Sequence, residues 1–429
     1  MANHISLMNG NYLYFPNSNT LINNELKNHY EKHESIHNVN LFELKIDEQY
    51  IKGRIENLPI FVLEVTEQCN LRCKYCVYNG EYDYYRPQTA HSMSLETARK
   101  GIDYIYSFIR NRKDKTFTIS LYGGEPLLDV DKLNAIVEYS KEVLSGWELN
   151  FSLTSNLTKL DEKAIDFLLA NNVRLCVSLD GNQENHDAKR VFSDGTGSHE
   201  IVMKNLEKLY KLDPEYFKNI SFSAVHSFDL PLKSLIDFYS NNPLVSKNGI
   251  RYSTVSQFNT TYNETFPFDI VKLRKGYSDL YKTIFESLRK GIPLPNIVKF
   301  LFSSVTNLED ALEIDKYPIT AQSCLFDSRI FLDSRGQFHI CERINNSTPI
   351  GNVGQGFNFS RMVQMVDNYV NIIKRHCLDC NVRFLCERCF VLFAENGTFK
   401  MPENFCESKR KSIKQDLERY IQLKEEGLI

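Results

Sequence analysis

The 429-residue sequence has no surplus of charge of either sign: 51 Lys and Arg stand against 54 Asp and Glu, a formal net charge of −3. That near balance removes any global electrostatic case for nucleic acid or an anionic membrane as partner. No apolar run approaches the roughly 20 residues that a membrane-spanning helix needs. The opening stretch MANHISLMNGNYLYFPN has neither a basic start nor an apolar core, so it does not read as a secretory signal. Internal repeats and low-complexity segments are lacking too. Against this even background stand 11 cysteines at clustered spacings. In a secreted chain they would suggest disulfides; without an export signal, metal binding in a reducing cytoplasm is the better reading. The length exceeds one typical domain and allows two or three.

The densest chemistry lies in residues 66–80, TEQCNLRCKYCVYNG, which place Cys69, Cys73 and Cys76 directly after the apolar run IFVLEV. Three thiolates leave one iron of a four-iron cluster without a protein ligand, and an open iron can bind substrate or cofactor. A zinc knuckle or three buried thiols is the plainer alternative, although zinc motifs usually pair C-x-x-C with a distant second pair. With Tyr75 just before the third cysteine, the stretch resembles the radical SAM enzymes, whose motif is C-x-x-x-C-x-aromatic-C after the first strand of a partial barrel. The resemblance implies that S-adenosylmethionine (SAM) chelates the open iron and that one electron, from a donor such as flavodoxin or ferredoxin, cleaves it to a 5′-deoxyadenosyl radical.

Residues 58–258 alternate strand and helix patterns. The strands IFVLEVT, TFTISLY, LNFSLTS, VRLCVSLD, ISFSAVH and IRYSTVS read as near-continuous apolar runs, as suits strands covered on both faces. Between them lie helical patterns such as SLETARKGIDYIYSFIRNR, with Ser94 as N-cap and Ile102, Ile105, Tyr106 and Ile109 on one face. Six such units give an α/β architecture with a parallel sheet. A closed barrel takes more, and six matches the open (β/α)6 partial barrel of radical SAM enzymes. Residues 1–57 read as a small α+β region: YLYFP and TLI bracket PNSN as a hairpin, ELKNHYEKH as a short helix and LFELKI as a strand. The resemblance makes it either a cap or a short module that grips a leader peptide. Residues 259–322 read as a helical linker and 323–429 as an auxiliary domain closed by a charged helix whose alternating charges form a solvated face.

The motif LYGGEPLL closes the second strand with Gly123, Gly124 and Glu125. The glycines let backbone approach a ligand. By resemblance, G-G-E-P contacts the amino group of SAM, and Tyr75, which precedes the third cysteine, joins the same site. Ser155 and Asn156 end the third strand as candidates for ribose and carboxylate contacts, or simply as a polar strand end. SLDG followed by ENHDAKR matches a recurrent family pattern that makes Ser178 and Arg190 candidates for the SAM carboxylate. Asp180, His186 and Asp187 read as ordering this loop, and Cys176 as a small buried hydrophobe.

A second constellation runs Cys324, Cys341, Cys377, Cys380, Cys386, Cys389 and Cys406. Two zinc sites are the alternative. The array resembles the SPASM domain, which carries two auxiliary 4Fe–4S clusters, so three clusters are expected in all. By position, Cys377, Cys380, Cys386 and Cys406 complete one cluster, while Cys324, Cys341 and Cys389 hold the other. Here Cys386 and Cys389 are separated by two residues where the family usually has three. Two fully cysteine-ligated clusters take four thiolates each, and this region offers seven. The segment before Cys324, KYPITAQS, holds no eighth cysteine. An open auxiliary iron, or a non-cysteine ligand in its place, follows. An open iron can take a substrate thiolate, lower its pKa and accept an electron. Glu342 sits where sulfatase-maturing relatives have an acidic base; paired with Arg343 it would be a surface residue. The expected function is a cytoplasmic maturase of a ribosomally made precursor peptide. The expected product is a cysteine thioether, then carbon–carbon or carbon–oxygen crosslinks, then formylglycine in a sulfatase.

Overall fold

The computed structural model describes residues 4–31, 38–256, 260–318, 324, 326–344 and 346–429. The expected boundaries at 258–259 and 322–323, and the last two residues of ELKNHYEKH, lie outside the described residues. Six strands follow one another through the first half: β1 (Ile60–Thr66), β2 (Thr116–Gly123), β3 (Glu148–Ser155), β4 (Arg174–Ser178), β5 (Ser221–His226) and β6 (Gly249–Thr254). Each pairs parallel with the next. Helices α1 (Leu95–Ile109), α2 (Val130–Val143), α3 (Glu162–Ala170), α4 (Gln183–Lys189), α5 (His199–Leu212) and α6 (Leu232–Asn241) make the crossovers. This is the expected (β/α)6 partial barrel. Ser94 caps α1 by accepting from Thr97 N (3.0 Å), and Asp129, Asp161 and Asn182 cap α2, α3 and α4 in the same way.

The strands are not apolar on both faces as expected; they alternate. Phe117, Ile119 and Leu121 of β2, Phe151 and Leu153 of β3, and Leu175 and Val177 of β4 join the buried core with Ile102, Ile105 and Ile109 of α1. The positions between them turn to the opposite, concave face. There stand Thr118, Ser120, Ser152, Thr154, Cys176 and Ser178, all only half-buried. Cys176 is therefore not a hydrophobe in an apolar core: its thiol faces the chamber and hydrogen-bonds with Ser221.

Beyond β1 the sheet continues into the C-terminal region. The strand β7 (Ile330–Leu332) pairs parallel with β1, and β8 (Gln337–His339), β9 (Gly351–Asn352) and β10 (Gly356–Phe357) follow antiparallel, giving ten strands in one sheet among the described residues. Helix α1 packs so closely on β7 that a Cβ on Gly101 would meet Leu332 Cδ2 at 2.4 Å.

The expected hairpin is present, Tyr12–Phe15 against Thr20–Asn23, with Ile5–Leu7 as a third strand. Leu7 and Tyr14 enter the core, and Tyr12 Oη donates to Glu425 Oε1 (2.9 Å). Of LFELKI only Leu41 and Phe42 lie in a strand, Asn40–Phe42; it pairs with Lys316–Pro318, and the chain leaves it at Glu43, which turns outward to Lys374 (2.9 Å). The C-terminal helix Phe405–Glu425 departs from its expected role as a solvated face. Its charges are mostly exposed, but Ile413, Leu417, Tyr420 and Ile421 form a buried stripe at helical spacing. Among the described residues no helix is long and apolar enough to cross a membrane.

The α1–β7 contact sets a test. Gly101→Ala forces Leu332 to move and is expected to cost about 1–3 kcal/mol, read as a lowered thermal midpoint. In Leu332→Ala the added methyl has room, so the double variant should be more stable than the two single losses add up to. Strict additivity would contradict the close approach.

Candidate functional site

β1 ends at Thr66, and the cysteine loop begins against the end of β2. A Cβ on Gly123, which holds φ at +143°, would meet Thr66 O at 2.3 Å, and one on Gly124 would meet Gln68 O at 2.1 Å. The glycine pair thus serves the cysteine loop itself: Gly124 N donates to Thr66 O and Glu125 N to Gln68 O, each at 2.8 Å. Glu125 is fully buried and accepts from Leu127 N (3.0 Å), Ser155 Oγ (2.8 Å) and Asn156 N (2.6 Å). Burial raises its carboxyl to about 7, against the pull of those donors and Arg190.

Asn156 reaches from β3 into the loop, its Nδ2 lying 3.7 Å from Cys69 Sγ and 3.0 Å from Asn70 Oδ1. Arg190 comes from the end of α4; its Nη1 lies 3.8 Å from Cys73 Sγ. Burial pushes Cys69 up to about 11 and Cys73 up to about 12, and raises Cys76; the neighbouring thiols add to the rise in Cys69 and Cys73, while Arg190 opposes it in all three. Cys69, Cys73 and Cys76 are therefore one half-buried group of thiols beside a guanidinium. Metal loading would displace their protons.

Asp180 is the hub of the fourth strand end. It accepts from Tyr75 Oη, from Arg190 Nε (2.9 Å) and from Val225 N (2.9 Å). His186 accepts from Asp180 N at Nδ1 (3.2 Å) and meets Ser198 Oγ at Nε2 (2.9 Å), and Asp187 accepts from His199 N (2.9 Å). These three residues order the loop. Ser178 faces the chamber from β4 and is half-buried.

Two buried carboxylates escaped the sequence reading. Glu64 pairs with Arg86 and accepts from Ser334 N (3.0 Å). Glu67, wholly buried, accepts from Ser334 Oγ (2.8 Å), Thr89 Oγ1 (2.5 Å) and, as a fork, Arg335 Nε (3.0 Å) and Nη2 (3.2 Å). They tie the cysteine loop to the β7–β8 turn. Their only sequence trace is two glutamates in a strand end that is otherwise apolar.

The second constellation divides into two groups. Burial pushes Cys341 up to about 12, with Glu342 and Cys389 adding; burial also raises Cys389, with Cys324 adding. Burial raises Cys386 to about 11 and raises Cys406 as well, with Cys377 and Cys380 adding in both. Cys389 is thus within electrostatic reach of both Cys324 and Cys341, and Cys377 and Cys380 are within reach of both Cys386 and Cys406. Arg388, buried beside Cys377, is a further residue the sequence did not single out. Glu342 pairs with Arg329 (2.8 Å), not with Arg343, and its Oε2 is buried without a hydrogen-bond partner among the described residues. Burial raises Tyr78 and Tyr122, and both feel Cys76 and Glu342, which sets these tyrosines between the first cysteine loop and the Cys341 loop.

Among the described residues no three candidate ligands converge as a single metal ion requires. A cluster asks for less convergence, because each thiolate binds its own iron. Soft thiols, most of them wholly or partly buried, with cations beside two of the groups fit that chemistry.

Residues 63–222 match the radical SAM superfamily. The chain is 29% identical over 184 residues to a serine-type anaerobic sulfatase-maturating enzyme of Bacteroides thetaiotaomicron, covering 43% of this chain and 42% of the relative. It is 26% identical over 257 residues to the radical SAM cyclopropyl synthase TigE of Paramaledivibacter caminithermalis, covering 57% and 53%. The matches span about half the length of these relatives. In fold it is similar to native anSMEcpe with bound AdoMet and Cp18Cys peptide: TM-score 0.59 at 16% identity, covering 85% of this chain and 98% of the other.

Removing Asp180 is expected to leave Arg190 buried and unpaired. Asp180→Ala should cost about 3–5 kcal/mol of stability, against about 1–3 for Tyr75→Phe, which removes one hydrogen bond. Chemical denaturation checks the order. Equal small losses would contradict the hub.

Proposed function

We propose, for a chain whose residues 63–222 are a radical SAM domain and which is thereby an S-adenosylmethionine-dependent enzyme, that it matures a ribosomally made precursor peptide by installing a cysteine thioether. Cys69, Cys73 and Cys76 would hold the SAM-binding 4Fe–4S cluster. Tyr75, Gly123, Gly124, Glu125, Ser155, Asn156, Ser178 and Arg190 would frame the SAM. Once bound, the pair supplies a 5′-deoxyadenosyl radical; the chain's part is to orient it and keep out water. The remaining seven cysteines would hold two auxiliary clusters, and a small redox protein such as flavodoxin or ferredoxin would supply electrons in the cytoplasm.

The observation that carries the thioether reading is the division of the C-terminal thiols into a group of three and a group of four. The group Cys324, Cys341 and Cys389 would leave one iron free of cysteine, a place for the peptide's thiolate. Held there, the sulfur would stand close to the reacting carbon, and positioning of this kind can supply up to roughly 7–11 kcal/mol. Glu342 supports the same site. Arg329 fixes one carboxylate oxygen and leaves the other buried and, among the described residues, unpaired, poised to take a proton from the peptide. The sulfatase-maturating relative favours formylglycine formation as the second reading, in which Glu342 has the same task and the C-terminal groups only carry electrons.

Two measurements test this. The Cys69→Ala/Cys73→Ala/Cys76→Ala variant should make no 5′-deoxyadenosine under dithionite yet keep the iron of the C-terminal groups; continued SAM cleavage would overturn the assignment. A cysteine-containing substrate peptide should change the EPR signal of the reduced auxiliary clusters, and its Cys→Ser counterpart should not. An identical signal with both peptides would move the reading to formylglycine or to carbon crosslinks.

A further inference from the structure

The concave face of the barrel carries a row of small hydroxyls. Thr118 and Ser120 of β2, Ser152 and Thr154 of β3, Ser223 of β5 and Ser253 of β6 all face it, and the register sets Ser120 beside Ser152. All six are half-buried, and none has a side-chain hydrogen bond to the protein among the described residues. Fold stability does not ask for them, since β-branched apolar residues suit strands at least as well. A row of reachable, unpaired hydroxyls suits a ligand that offers hydrogen bonds of its own.

Arg251 stands on the same face of β6, opposite Ser223 in the register and close enough to Cys176 to act on its thiol. It is exposed and, among the described residues, makes neither an ion pair nor a side-chain hydrogen bond. The other charges here are engaged: Arg190 with Asp180, Arg174 with Asn150, Glu64 with Arg86. A free guanidinium beside neutral hydroxyls presents a fork that matches a carboxylate.

From this lining we infer that the chamber takes a segment of the substrate peptide bearing a carboxylate side chain between hydroxyl or carboxamide residues, with the carboxylate on Arg251. The inference rests on the peptide-maturase reading and names the class of peptide. An aromatic or aliphatic segment would bury the hydroxyls without partners, and a site built for hydrogen bonds rejects ligands that lack them.

The test is anaerobic fluorescence anisotropy with the reconstituted full-length enzyme and SAM. The probes are labelled heptapeptides Gly-Gly-Thr-Xaa-Ser-Gly-Gly with Asp, Asn or Phe at Xaa, and succinate as an unlabelled competitor. The Asp peptide should bind about ten-fold or more tighter than the Phe peptide. Arg251→Gln should remove the advantage of Asp over Asn, and Ser120→Ala/Ser152→Ala should weaken both. Equal binding of Phe and Asp peptides would overturn the inference and leave the maturase reading standing. So would an Arg251→Gln variant that loses SAM affinity instead of the Asp preference, because Arg251 would then serve the methionine carboxylate. Displacement of the bound Asp peptide by an equimolar amount of succinate would show that the site takes a free carboxylate and not a peptide segment, and would overturn the assignment. No binding of any probe would overturn the inference as well.

Discussion

Everything in the candidate centre depends on the backbone at residues 66–68 being pinned from two sides. On one side, Gly123 and Gly124 let the end of β2 come within hydrogen-bonding distance of Thr66 and Gln68, where any side chain would collide. On the other, the buried Glu67 takes the guanidinium of Arg335, which reaches in from the surface, and the hydroxyls of Ser334 and Thr89. A buried carboxylate is tolerated only when its charge is paired and its lone pairs are filled. Glu67 meets both conditions through Ser334 and Arg335 of the distant β7–β8 turn together with Thr89. The position of Cys69, two residues on, is therefore set jointly by the barrel and the C-terminal region.

That joint control gives the molecule its plan. The ten-stranded sheet carries the barrel directly into the strands that precede Cys341. Tyr78 and Tyr122 fill the ground between Cys76 and the Cys341 loop. A substrate entering the chamber would meet the first thiol group at the strand ends and the three-thiol group beyond the tyrosines. Such an arrangement suits a reaction that begins at one centre and returns its electron at another.

The sequence carried the local part of this account well. Ser94 before an apolar stripe meant a capped helix, and six strand patterns separated by helical ones meant a parallel barrel. The grouping of Cys377, Cys380 and Cys386 apart from Cys389 came from the resemblance to the SPASM domain, since spacing alone would put Cys389 with Cys386. Long-range pairing was another matter. Glu67 and Arg335 stand 268 residues apart, and nothing local in either names the other. The same holds for β7 joining β1. The inward face was misread because T-F-T-I-S-L looks apolar when hydroxyl residues are taken as good strand formers; only the alternation separates a lined chamber from a covered strand. The C-terminal helix misled in the opposite sense, its many charges hiding a narrow stripe of Ile413, Leu417 and Tyr420.

We propose that the ten cysteines other than Cys176 act as three separate groups, each holding one cluster. Iron counting with Mössbauer spectroscopy on the anaerobically reconstituted chain tests it most directly. Three four-iron clusters predict about 12 iron atoms per chain, and Cys377→Ala/Cys380→Ala should remove one third of them while the rest stay in unchanged cluster signals. A full complement near four irons, or a pair variant that loses all its iron or none, would contradict the three-group arrangement.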